Sequence, residues 1–118
     1  MLKKTKIRQV FEFRNESWFD KETYALLKEY NTCLCIAHSS RFPCVKEVTA
    51  DFLYLRFHGG ESLYSSNYSD KELREWVNFA KQFSAPGGKG SDIFAFFNND
   101  AYGYAVKNAL KFGELLEE

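Results

Sequence analysis

Three apolar runs of strand length in this chain end in the same way, on a cluster of charged and amide side chains: FEFRNESW (Phe11 to Trp18), LYLRFHGG (Leu53 to Gly60) and FAFFNND (Phe94 to Asp100). Strands whose chemistry gathers at one end suit a parallel α/β fold. There helices cover the sheet faces, and ligands enter where the carboxyl ends of neighbouring strands meet. The pattern points to a site and leaves the reaction open.

The intervals between these runs fit parallel pairing, which needs long right-handed connections. Ile7 to Phe13 reads as a first strand, and Asp20 caps a helix with apolar positions Tyr24, Leu27 and Tyr30. Thr32 to Ala37 (TCLCIA) has the unbroken apolar character of a strand covered on both faces. His38 to Asp51 contains Ser39, Ser40 and Pro43 without helical periodicity, and reads as an irregular crossover to the strand Phe52 to Phe57. Ser69 and Glu72 form a capping box ahead of Leu73, Trp76, Val77, Ala80 and Phe83, which share one helical face. The stretch SAPGGKGS (Ser84 to Ser91) superficially suggests a phosphate loop, but it follows a helix and precedes a strand. That order is the reverse of what such a loop needs, so it reads as a turn. Ile93 to Phe97 is the fourth strand, and Tyr102, Ala105, Val106, Ala109, Leu110 and Leu116 mark a closing helix whose N-cap is Asp100. The expected fold is thus α/β, about four parallel strands with covering helices in one domain, 1–118. An open sheet of four apolar strands leaves two hydrophobic edges, which natural proteins cover. A homodimer, or a separately encoded partner supplying further strands, is the expected remedy.

Composition excludes several functions. With 16 basic and 16 acidic residues the formal charge is zero, so no global field gathers nucleic acid or acidic membrane. Lys3, Lys4, Lys6 and Arg8 form a basic start, and Glu114, Glu117 and Glu118 an acidic finish, both read as solvated. No apolar run approaches the roughly 18 to 20 residues that span a bilayer, and Met1 to Val10 has no signal core. A cytoplasmic location is expected. Cys33, Cys35 and Cys44 are an odd number, as reduced thiols allow, and with His38 they lack the spacing of a structural zinc site. They are assigned to the core, and neither a metal nor a cofactor motif is expected.

Side chains alternate along a strand, so Glu12 and Arg14 share a face, as do Arg56 and His58. A carboxylate beside a guanidinium stays ionised, and an imidazole nearby titrates close to neutrality. Glu12 and His58 are therefore the candidate acid and base, and Arg14 and Arg56 the candidate anion ligands. Gly59 and Gly60 leave backbone room for a ligand. Asn98 and Asn99 can hydrogen-bond a small polar or anionic group. Trp18 could stack on it, and Tyr64 and Tyr68 belong to a candidate lid, SLYSSNYS. The competing reading of the charged residues is a salt-bridge network that fixes packing.

These segments resemble the domain of unknown function 72 family, also called YecE-like proteins. The likeness is carried by Glu12, Arg14, Ser17 and Trp18 as a Glu-x-Arg followed by Ser-Trp, and by Tyr54, Arg56, His58 and Gly59 as Tyr-x-Arg-x-His-Gly. Tyr68 and Ser69 before a helix, and Phe97, Asn98 and Asn99 at a strand end, complete it. Asn15 stands where the family commonly has His, and His38 where Asp is frequent. The resemblance implies the later half of a TIM-type barrel, since eight strands need about 250 residues. It implies no established reaction. Two functions remain: a ligand-binding site with acid/base or hydrolytic chemistry, or a non-catalytic, truncated or split half-barrel acting as an assembly module.

Overall fold

The computed structural model describes residues 7–41, 43–60, 67–85, 90 and 92–118. Five strands and three α-helices follow in the order β1 (Val10–Phe11), α1 (Lys21–Glu29), β2 (Cys33–Leu34), β3 (Ile36–His38), β4 (Phe52–Phe57), α2 (Asp70–Ser84), β5 (Asp92–Phe97) and α3 (Tyr104–Leu116). Single 3₁₀ turns precede α1 and α3. Among the described residues every ladder is parallel, in a two-stranded sheet β1-β2 and a three-stranded sheet β3-β4-β5. The expected strand Thr32 to Ala37 is present as β2 and β3, separated by the single residue Cys35, so one extended run serves both sheets. Cys35 N–H still donates to Phe11 O at 2.8 Å.

The helix starts follow from local chemistry. Asp20 accepts from Thr23 N–H at 2.8 Å and caps α1. Ser69 and Glu72 bond each other's backbone N–H groups at 3.1 and 3.0 Å, satisfying two donors that the first turn of α2 would otherwise strand. Beyond this box, α2 buries Leu73, Trp76, Val77, Ala80 and Phe83, the full stripe expected from the sequence.

Those side chains form the main core with Leu53, Leu55 and Phe57 of β4, Ile36 of β3, and Phe112 and Leu115 of α3. Phe57 lies at its centre, stacked on Phe97 at 4.5 Å between ring centroids and meeting Trp76 edge-on at 5.3 Å. Alternation sends Phe52, Tyr54, Arg56 and His58 to the opposite, inner face of β4. Phe94 and Phe96 of β5 stand on that face 37% and 46% exposed.

Three expectations are corrected. Asp100 makes no capping bond; Tyr102 and Gly103 take left-handed conformations (φ 60° and 75°), and α3 starts after them. This kink rotates the helix, so its buried stripe is Ala105, Asn108, Phe112 and Leu115, while Val106 and Leu110 face outward. Cys33 and Cys35 are buried, but Cys44 is exposed because it lies in the irregular crossover between β3 and β4. Lys3, Lys4, Lys6, Tyr64 and most of the SAPGGKGS turn fall outside the described residues.

Candidate functional site

The ladders set the carboxyl ends of β3, β4 and β5 level with one another. His38 pairs with Phe57 and Phe57 with Phe97, and the pattern extends one step further: His58 N–H donates to His38 O and Asn98 N–H to Phe57 O, both at 2.8 Å. Glu12, just beyond β1, meets this row from the other sheet.

The structure brings together five of the eight expected residues on the Glu12 carboxylate or one step from it. Arg56 Nη1 donates to Oε1 at 2.8 Å, and Arg14 Nη2 donates to Oε2 at 3.1 Å. His58 Nε2 lies 3.3 Å from Oε2. Asn98 Oδ1 accepts from Arg56 Nε and Nη2 at 3.2 and 3.0 Å. This fork aims the remaining guanidinium arm at Glu12, so Asn98 acts on the site through Arg56. Cys35 Sγ–H donates weakly to Oε1 at 3.8 Å.

Burial of Glu12 opposes its ionisation, but the charge and hydrogen bond of Arg56, the hydrogen bond of His58 and the charge of Arg14 prevail, and its pKa lies below the ordinary carboxylate value. Burial lowers the His58 pKa, Glu12 resists this, and Arg56 and Arg14 add to it. At neutral pH Glu12 is therefore a carboxylate and His58 a neutral imidazole. The tautomer that suits the pair carries its proton on Nε2 and donates it to Glu12. Cys35 is no nucleophile, since burial and the adjacent carboxylate push its thiol pKa far up.

Glu12 and Arg56 line an open cleft of about 360 Å³ with Arg8, Val10, Cys35 and Tyr54. An apolar hollow of about 210 Å³ along Phe52, Tyr54 and Phe94 adjoins it and shares Arg8, Val10 and Tyr54. Arg8 bridges the inner face from β1 toward β5, its guanidinium over the Phe52 ring at 5.0 Å and paired with Asp92 at 2.5 Å. Trp18 is 52% exposed and stacked on Phe13 at 4.9 Å, and it does not line the cleft. Asn15 holds the intervening turn by accepting from Ser17 N–H at 2.9 Å.

Tyr68 and Asn99 lie behind the cluster and are buried. Tyr68 Oη accepts from Gly59 N–H at 3.0 Å and lies 2.8 Å from His38 Nδ1. Burial lowers the His38 pKa, Glu72 opposes this and Lys46 reinforces it, so His38 is neutral at pH 7, and the tautomer with its proton on Nε2 leaves Nδ1 to accept a hydrogen bond from the Tyr68 O–H. Gly59 has φ 107°, a conformation that side chains rarely tolerate. Asn99 Nδ2 donates to Asn108 Oδ1 at 2.7 Å, and Tyr68 N–H donates to the same oxygen at 3.1 Å. Asn108 Nδ2 in turn donates to Asn67 Oδ1 at 3.0 Å. The sequence reading missed Asn108 as a site support. Its signal was a polar residue in register with Ala105, Phe112 and Leu115.

A family model described as "Protein of unknown function DUF72" matches residues 1–118. Among solved structures, a DUF72 family protein of Thermotoga maritima MSB8 is 30% identical with a TM-score of 0.82, over 96% of this chain and 47% of that one. A DUF72 family protein of Enterococcus faecalis V583 is alike in fold, at 21% identity and a TM-score of 0.83, over 98% of this chain and 49% of that one. The chain spans about half the length of these solved proteins. Among curated proteins none matches it.

Proposed function

The chain belongs to the DUF72 family, and from that premise we propose that the cluster of Glu12, Arg14, Arg56, His58 and Asn98 binds a small polar or anionic ligand at the strand ends of a TIM-type half-barrel. One observation carries this reading: a single carboxylate, on the wall of an open cleft, is gripped on both oxygens by two arginines and a histidine. With His58 neutral the group is net positive, so it attracts an anion. A purely structural ion network would bury both cations, whereas the Arg14 side chain is 44% exposed. For acid/base or hydrolytic chemistry the candidate groups are His58, neutral at pH 7, and Glu12, which is held ionised and orients the imidazole through Nε2. Arg14 and Trp18, both half-exposed, would meet the ligand from the solvent side. Asn99 and Tyr68 hold the strand ends from behind.

The half-barrel is supported by exclusively parallel pairing, strand ends brought level, and a match to about half of each solved relative. Cytoplasmic residence is supported by the free thiols of Cys33, Cys35 and Cys44. Among the described residues no helix is long and apolar enough to cross a membrane. The second reading, a non-catalytic assembly module, is favoured by the exposure of Phe94 and Phe96 on the inner face.

Calorimetric titration with inorganic phosphate and with acetate tests the ligand reading. At least one should bind saturably, and Arg14→Ala should weaken it at least tenfold while leaving the circular dichroism spectrum unchanged. No saturable binding of either anion, or binding indifferent to Arg14→Ala, overturns it.

A further inference from the structure

The two ends of the strand array are complementary to each other. At one end α3 turns out Val106 and Leu110, each 66% exposed, and the turn before it presents Tyr102, 84% exposed. At the other, α1 turns out Leu26, 51% exposed. Exposed Glu22 and Glu29 flank Leu26 at helical spacing, and exposed Lys107 stands beside Val106 and Leu110. Apolar thus matches apolar, and Lys107 can meet Glu22 or Glu29. Glu114 is exposed further along α3, where it lies 3.9 Å from Lys111. The terminal strands β1 and β5 each have a ladder partner on one side among the described residues.

We infer that a second copy of this chain covers the inner face, with β5 and α3 of each copy against β1 and α1 of its partner. The inference rests on the half-barrel reading. Because every ladder is parallel, a twofold axis along the strands joins β5 to the partner's β1 in the parallel sense. Counting β2 and β3 as the one run they form, a copy supplies four strand positions, and two copies supply the eight at which a tilted parallel sheet closes. Closure after two copies removes both open edges and encloses Phe94 and Phe96. The same contact made without closure would propagate into filaments, so the geometry fixes a dimer as the end point.

Light scattering across a concentration series, combined with disulfide trapping in a Cys44→Ser background, tests this. The traps are Leu26→Cys and Leu110→Cys, both at exposed positions, with folding checked by circular dichroism. A mass of twice the chain is expected. Under mild oxidation a mixture of the two variants should yield a disulfide-linked pair, with each variant alone at least tenfold less efficient. A monomer at every concentration overturns the second copy as occupant and leaves the half-barrel reading standing. A dimer in which like positions crosslink, or in which neither does, overturns the half-barrel geometry itself. Larger assemblies overturn closure.

Discussion

Replacing Asn108 by Ala should cost far more than its place among apolar neighbours suggests. Its Oδ1 takes two donors, Tyr68 N–H and Asn99 Nδ2, and its Nδ2 serves Asn67, all where Asn108, Asn99 and Tyr68 are at most 5% exposed. Each intact hydrogen bond contributes about 1 kcal/mol net, but a buried donor that loses its acceptor costs about 1–3 kcal/mol. Two such donors give a loss of about 2–6 kcal/mol, with about 3 kcal/mol expected after partial relaxation. At an m-value of about 1.5 kcal/mol per M, the urea midpoint falls by about 2 M. Asn108→Leu decides the cause: it restores apolar volume and removes the same acceptor, so its loss should match that of Ala within about 1 kcal/mol. Both variants are measured by urea unfolding followed by tryptophan fluorescence. A Leu variant as stable as wild type would refute the argument, because packing alone would then account for the site.

Other perturbations test the electrostatics and the backbone. The depressed Glu12 pKa contributes stability that is present above pH 4.5 and lost as pH falls through the folded value, so the difference in urea midpoint between wild type and Glu12→Gln should shrink from pH 7 to pH 3; a constant difference counts against an ionised Glu12. Both histidines have lowered pKa values, so each should titrate by NMR with a midpoint below 6.5, and the stability they contribute should fall away below that pH; a midpoint above 6.5 for either contradicts the burial argument. Gly90→Ala should cost about 1–3 kcal/mol or more, since a Cβ there would lie 2.0 Å from the Asp51 carbonyl oxygen. Gly113→Ala, open to space within α3, should stabilise by about 1 kcal/mol in thermal melts, and the opposite ranking of these two glycines would contradict the backbone packing described here.

Legibility in the sequence followed the range of the interactions. Strand β4 and helix α2 could be read outright, because alternation and a 3.6-residue stripe are local signals and a capping box is a four-residue motif. Glu12, Arg14, Arg56 and His58 could be placed on shared faces by the same alternation, and they converge. The outward face of α3 could not be read, because two successive left-handed residues reset the phase of the helix. The support built from His38, Tyr68, Asn99 and Asn108 joins residues 30 to 40 positions apart in two of its links, and no local pattern announces such contacts. Asn98 was identified as a ligand-facing amide from its strand-end position. Its hold on Arg56 depends on the β4-β5 register, which a lone sequence does not state.

That register also has a consequence during synthesis. Phe52–Phe57 pairs with Asp92–Phe97, so Phe52 waits for Asp92. At roughly 5–20 residues per second the ribosome needs about 2–8 s to make the intervening chain. For that interval FLYLRF, a strand whose sole charge is Arg56, leaves one hydrogen-bonding edge open to any other nascent strand. Helix α2, complete by Ser84 and self-capped at its start, can cover one face of β4 before β5 arrives. Its early formation would shield the chain from association while it is still being made.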